Sequence, residues 1–583
     1  MEADPHRKSA EALRFESDVT DLDDRKRDGR EALSPFWPAG SDFHLSWPGG
    51  SAFENLERSA RRHPARPAIF YYGAEISYGE LLTRVVALAG YLQQRCGVRR
   101  GDRVMVDMQN SPQFVVAFHA ILRADAVVVP VNPMNVVGEL DFLAADSGAR
   151  VALIGDELID RFAEFVPTRF DHVIVARYAD EAPISPSDPL PEVMRRAPVR
   201  LPDGPFVDFA DALAEGCAPA PHLNGDDDLA VMPYTSGTVG HPKACMHHHS
   251  GVTFTAAAQA KWYGFDETSV VTAFMPLFHV AGMQASMSAG LFAGAALVIM
   301  SRWDRGLIPA LFERHGVTYW NAAPTMIADV LASPDYTDRT FAELKTLTGG
   351  GASMPAAVAK RLLERHGLRF CEGYGLSETI SATHINPVAH PKPQCLGIPI
   401  YDTYSMIADP ETLARKPDGE TGEILVSGPQ VMAGYWRNPD ADAKVFVTID
   451  GRRYLRTGDL GYVDEDGYFF IVDRLKRMIN VSGYKVWPAE SEALLYQHPA
   501  VQECCVISAP DSYRGETVKA VVRLKAECRD QVTAEDIISF ARTVMANYKV
   551  PRIVEFVDEL PRSGSNKIDW RRLQDAEWAK RND

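Results

Sequence analysis

Three hydroxyl residues, two glycines and a lysine fall within the run Thr235-Ser-Gly-Thr-Val-Gly-His-Pro-Lys243. Glycine permits backbone geometry that turns amide hydrogens toward an anion, here at Gly237. The hydroxyls of Thr235, Ser236 and Thr238 can donate to phosphate oxygens, and Lys243 can offset their charge. The apolar run Leu229-Ala-Val-Met232 just upstream reads as a strand entering this loop. The chemistry implied is a grip on a nucleotide triphosphate. It is not a Walker loop, which carries lysine directly after its second glycine and then Ser or Thr. Here His241 and Pro242 intervene, and Ala244 follows the lysine. Without the proline and lysine at these offsets, such a run would be an ordinary surface turn.

With Tyr234 in front, the run resembles the signature of the AMP-forming adenylate ligases, the superfamily of acyl-CoA synthetases, luciferases and peptide-synthetase adenylation domains. Ala244 departs from it, standing where the family usually has glycine. Four further segments follow in the family's order. In Gly373-Tyr-Gly-Leu-Ser-Glu-Thr379, Tyr374 offers adenine a stacking face and Gly375 allows close approach. Ser377 and Thr379 can reach phosphate oxygens. Glu378 is a hard oxygen ligand suited to Mg²⁺, with Thr235 completing the metal site. Alone, Glu378 would read as a solvated surface charge.

The resemblance assigns the remaining roles. In Met275-Pro-Leu-Phe-His-Val-Ala-Gly282, Phe278 and His279 sit where the family places the wall between acyl pocket and thiol tunnel. Gly350 and Gly351, within Thr346-Leu-Thr-Gly-Gly-Gly-Ala352, resemble the floor of the adenine and acyl sites. Asp459 accepts the ribose hydroxyls, and Arg474 contacts ribose or phosphate. Lys476 is the hinge. Ser482 and Gly483 let the pantetheine arm pass close to the backbone. Lys567, in Pro561-Arg-Ser-Gly-Ser-Asn-Lys567, is the catalytic lysine, although Ser565-Asn566 differ from the usual Thr-Gly or Ser-Gly. The implied reaction joins a carboxylic acid to ATP, giving acyl-AMP and pyrophosphate, after which CoA takes the acyl group and AMP leaves. Trp320, Phe278, Tyr263 and Met283 hint at an apolar acyl site, consistent with a medium- or long-chain fatty acid, or else belong to the core. An aryl acid, or a carrier protein as acceptor, is the alternative. The cofactors implied are ATP, Mg²⁺ and CoA.

The elements that must hold these residues alternate between strand and helix. Ala68-Ile-Phe-Tyr-Tyr72 reads as a strand, and Leu81, Leu82, Val85, Leu88, Ala89 and Leu92 mark a helical face. Ala126-Val-Val-Val-Pro130 reads as a buried strand. Such alternation predicts an α/β fold of mostly parallel sheets covered by helices. The resemblance adds a β-barrel-like subdomain and a small mobile α/β C-terminal domain. The expected division is a leader at 1–50, an AMP-binding domain at 51–475 and a cap at 476–583. The stretch 179–226 reads as loop, and 283–297 as a tightly packed helix.

Bulk composition narrows the partners. Net charge is −17, so the surface as a whole repels nucleic acid and anionic membranes. No apolar run approaches the roughly 20 residues of a membrane-spanning helix. Eight cysteines without metal spacing, scattered through 583 residues, suit free thiols and a cytoplasmic enzyme. His247-His248-His249 point in different directions on any regular element, so a structural role is expected rather than a metal site. A homodimer is left open.

Overall fold

The structure is a computed structural model. It describes residues 34–580 except 166–167, 184–188, 198, 236–241, 351–353, 482–483, 512–514, 530 and 563–567. Ser236, Gly237, Thr238, Gly351, Ser482, Gly483 and Lys567 therefore lie outside the described residues.

Strand–helix alternation folds into two large sheets. In the nine-stranded sheet, six neighbouring strands run parallel: Phe370–Leu376, Thr346–Gly350, Tyr319–Asn321, Val270–Ala273, Ala296–Ile299 and Pro67–Tyr71. Antiparallel strands close both edges. The eight-stranded sheet also has a parallel block, from Leu229–Val231 through Val127–Val131, Arg103–Asp107, Val151–Gly155 and His172–Ala176 to Phe206–Asp208. Its strands read as unbroken apolar runs because helices cover both faces, and every residue of Val127–Val131 is buried.

Parallel sheets bring the loops after their strands to one edge. The loops after Val270–Ala273, Thr346–Gly350 and Phe370–Leu376 therefore share the carboxyl edge of the nine-stranded sheet. The loop with Lys243 leaves the carboxyl end of Leu229–Val231 and returns antiparallel as Cys245–His248. Gly434–Tyr435 pairs along that returning strand and forms the sheet's edge.

Where a barrel-like subdomain is expected, a five-stranded antiparallel sheet stands, built on the long strand Arg452–Val463. A smaller five-stranded sheet follows from Ile479 onward, with helices Pro488–Leu495, Ala534–Val544 and Trp570–Ala579 and a hydrophobic cluster of its own. Thr533 caps its helix as the sequence predicts. Its hydroxyl accepts from the Asp536 amide, and the Asp536 carboxylate accepts from the Thr533 amide at 2.8 Å.

The described part of the leader packs on the large domain. Trp37 makes edge contacts with Trp262 and Tyr401, and the Ser34 hydroxyl donates to the Asp466 carbonyl at 2.8 Å. Two expectations change. The segment 179–226 holds a short strand, Phe206–Asp208, and a helix, Phe209–Ala214, capped by the Asp208 carboxylate. The residues 283–297 are not one helix. A π-helix, Ala281–Ser288, passes into Ala289–Ala293, and Gly294 at φ +81° ends it before the strand Ala296–Ile299. Only glycine adopts that angle without cost, and its place in the run was the missed stop signal.

Candidate active site

The phosphate loop closes on itself at its base. The Thr235 amide donates to the Lys243 carbonyl at 2.8 Å, and Tyr234 and Ala244 bridge beneath them. The Tyr234 hydroxyl donates to Asp146 at 2.7 Å, tying this base to the neighbouring helix. Lys243 extends over the ring of Tyr435, its ammonium 4.8 Å from the ring centroid. The Tyr435 hydroxyl donates to Glu378 Oε1 at 2.8 Å. The loop lysine over its face and the candidate metal carboxylate at its hydroxyl therefore share one buried ring.

Glu378 sits on the turn Ser377–Thr379, which follows directly on Phe370–Leu376. The turn is held from several sides. His247 Nε2 donates to the Ser377 carbonyl at 2.7 Å, and the Met432 amide donates to the Glu378 carbonyl at 2.8 Å. The Thr379 hydroxyl donates to the Ser381 carbonyl at 2.7 Å and accepts from the Leu376 amide, so it is committed within its own turn. The next two residues, Ile380 and Ser381, have φ +44° and +146°. A branched residue in the left-handed region is strained, and such strain persists where surrounding contacts over-determine it. Here the contacts are those that fix Glu378.

Four residues before Glu378, on the preceding strand, stands Tyr374. Its hydroxyl donates to Asp459 Oδ2 at 2.6 Å, while Arg474 Nε lies 3.0 Å from Asp459 Oδ1. Asp459 and Arg474 face each other across paired strands, which fixes the contact by register. Asp459 is buried, and the adjacent carboxylate raises the Arg474 guanidinium further above its ordinary value. Burial, then the same carboxylate, pushes the Tyr374 phenol up, so it remains a donor.

The glycines serve strand packing. A Cβ on Gly375 would fall 1.7 Å from the Ser381 carbonyl oxygen, and one on Gly350 would fall 2.4 Å from that of Gly373. Gly375→Ala should therefore destabilise the protein by about 1–3 kcal/mol, read as a lower midpoint in chemical denaturation. An unchanged midpoint would refute the close approach.

His279 lies exposed on the loop after Val270–Ala273, its ring 5.6 Å from that of Phe278. Asn110 clamps this loop. Its amide donates to the Ala273 and Met275 carbonyls at 3.0 and 2.9 Å and its oxygen accepts from the Leu277 amide at 2.8 Å. Trp320, read as acyl lining, instead packs with Phe312 and Phe341 in the core. Tyr263 is partly buried against the core, its hydroxyl 3.2 Å from that of Thr348. The three consecutive histidines are all occupied locally. His248 Nδ1 meets the Asp227 carbonyl, and His249 accepts from the Ala52 amide. Burial lowers His247 to about 3 and His249 to about 4, so both rings are neutral.

Comparison with known proteins gives the family. The family model described as AMP-binding enzyme matches residues 56–436, and that of the AMP-binding enzyme C-terminal domain matches 490–567. The chain belongs to the AMP-binding enzymes. A long-chain-fatty-acid–CoA ligase of Bacillus subtilis is 34% identical over 93% of this chain and 97% of its own length. A feruloyl-CoA synthase of Amycolatopsis sp is 36% identical over 88% of this chain and 96% of its own. The crystal structure of ATP-bound MatB from Rhodopseudomonas palustris superposes with TM-score 0.78 at 28% identity, covering 90% of this chain and 99% of that one.

In this AMP-binding enzyme the structure gathers Lys243 and Glu378 through Tyr435, and Tyr374, Asp459 and Arg474 directly. The sequence reading missed Tyr435 and Asn110. Gly434-Tyr-Trp436 before Pro439 was the visible signal for Tyr435, an aromatic pair at a turn. Asn110 offered none, because an asparagine before Ser111-Pro112 reads as an ordinary helix start.

Proposed function

We propose that this AMP-forming acyl-CoA synthetase activates a medium- or long-chain fatty acid in two steps. The acid's carboxylate attacks the α-phosphorus of ATP in line, forming acyl-AMP as pyrophosphate leaves. The thiol of CoA then attacks the acyl carbonyl, and AMP leaves. The observation that carries the reading is the Tyr374–Glu378 segment. It presents a stacking ring tied to the ribose-side carboxylate at one end and a fixed carboxylate beside the loop lysine at the other.

Little covalent chemistry is asked of the protein, so positioning and charge carry the rate. Tyr374 stacks on adenine and Asp459 accepts from the ribose hydroxyls, with Arg474 beside it. The loop Thr235 to Lys243 holds the β- and γ-phosphates. Glu378 and Thr235 supply hard oxygen donors that suit Mg²⁺, and the Glu378 carboxylate is already oriented by the Tyr435 phenol. Mg²⁺ bound there neutralises charge developing on the phosphates. Lys567 bridges the carboxylate and α-phosphate oxygens. The small domain then turns about Lys476, in the single turn Leu475–Arg477, withdrawing Lys567 and presenting Gly483 to CoA.

An aryl acid is the second reading. The 36% identity to a feruloyl-CoA synthase favours it, as does the tyrosine hydroxyl of Tyr263 beside Thr348. Pyrophosphate exchange over a panel of fatty and aryl acids decides between them, and failure of every acid to support exchange would sink both. Glu378→Gln is expected to raise the Mg²⁺ needed for half-maximal exchange by about 10–100-fold. The eight cysteines are all free thiols, which suits the cytoplasm. No helix among the described residues is long and apolar enough to cross a membrane.

A further inference from the structure

Tyr435 sits outside the motifs that identified the site, yet it touches two of them. It is buried at the edge of the eight-stranded sheet, on the two-residue strand Gly434–Tyr435. Its backbone is fixed on both sides. Tyr435 pairs with Cys245 in register, the Trp436 amide donates to the Ala244 carbonyl at 2.9 Å, and the Tyr435 amide donates to Asp442 at 2.7 Å. Gly434 admits the Asp442 carboxylate where a Cβ would stand 2.5 Å from its oxygen. The ring thus has little freedom to move. One face lies under the Lys243 ammonium, and the hydroxyl holds Glu378. A phenol hydroxyl at 2.8 Å from a carboxylate oxygen donates to it.

We propose that Tyr435 is a positioning residue that sets Glu378 and Lys243 in register for one magnesium–triphosphate complex. This rests on the assignment of Glu378 to the metal and of Lys243 to the phosphates. The physical reason is that a carboxylate with one oxygen hydrogen-bonded keeps the other aimed at a cation, and loss of such an outer partner costs about 10–100-fold in metal affinity. The ring adds a second constraint. An ammonium resting on an aromatic face is held at a fixed height and can still meet a phosphate. The two contacts are separable by substitution. Tyr435→Phe keeps the ring and removes the hydroxyl. Tyr435→Leu removes both.

The test compares ATP binding in Mg²⁺ with binding in EDTA by titration calorimetry, using the full-length protein and wild type as reference. Mn²⁺ titration in the presence of ATP, followed by electron paramagnetic resonance, reads the metal directly. Tyr435→Phe is expected to weaken ATP about 10-fold in Mg²⁺, to leave the EDTA value unchanged, and to weaken Mn²⁺ in parallel. Tyr435→Leu is expected to weaken ATP in EDTA as well, because Lys243 loses its seat. The circular dichroism spectrum of Tyr435→Phe should match that of wild type, which a damaged fold would not allow. If Glu378→Gln loses the Mg²⁺ effect and Tyr435→Phe retains it, the positioning role is overturned while the metal assignment stands. If neither substitution changes the Mg²⁺ to EDTA ratio, both are overturned.

Discussion

Replacing Asp459 by alanine is expected to weaken ATP binding about 100-fold and to lower stability by about 2–3 kcal/mol. The two effects have separate origins. In the free protein the buried carboxylate holds the Tyr374 hydroxyl at 2.6 Å and Arg474 at 3.0 Å. Its removal leaves a half-buried phenol and a guanidinium without their acceptor, and hydrogen bonds to charged groups contribute about 1.5–3 kcal/mol each. Arg474 is 47% exposed at its side chain, so solvent recovers part of its loss. That keeps the total below the cost of breaking a fully buried pair. In the complex, two ribose hydroxyls lose a charged acceptor, and about 1.4 kcal/mol for each is a factor of ten. Asp459→Asn separates the effects, since the amide oxygen still accepts from Tyr374 while the amide nitrogen cannot accept from Arg474. It should recover the Tyr374 share of the stability and little of the affinity. Calorimetric titration with ATP and urea denaturation measure the two quantities. Lost stability with intact ATP affinity would remove Asp459 from the nucleotide site.

Lys567→Ala is expected to lower acid-dependent ATP–pyrophosphate exchange by about 10²–10³-fold, the usual loss for one preorganised donor at a developing charge. Transfer to CoA from supplied acyl-AMP should persist. Gly483→Trp should do the reverse, sparing exchange and blocking thioester formation, because a side chain at that glycine fills the path of the pantetheine arm. The pair tests whether one domain serves two half-reactions in turn. Equal losses in both assays for both variants would end the two-state assignment. Both residues lie outside the described residues, so this expectation comes from sequence and family membership.

Short-range features were legible in the sequence. Thr533 and Asp536 lie three apart and form their capping box without help from elsewhere. The strand entering the phosphate loop, and the segment Gly373 to Thr379, are local patterns with local causes. Glycine was harder to read. Gly350 and Gly375 suggest a ligand approaching the backbone, yet the close approach observed is that of neighbouring strands. A missing side chain reports that space is scarce, not what occupies it. Trp320 carried the same ambiguity, which its core packing resolves, since an aromatic residue beside a site and one in a core look identical in sequence.

The amino-acid order by itself offered the candidates: a hydroxyl- and glycine-rich loop ending in Lys243 and a metal-suited carboxylate at Glu378 by residue type and short spacing, and, by family resemblance, an acidic partner for ribose at Asp459. Residue type and short spacing survive without a fold. Only the tertiary structure decided how these groups meet. Asp459 reaches Tyr374 across 85 positions, and Tyr435 reaches Glu378 across 57. Contacts at such separations follow from strand order and register, which depend on packing summed over whole sheets and leave no mark at either residue.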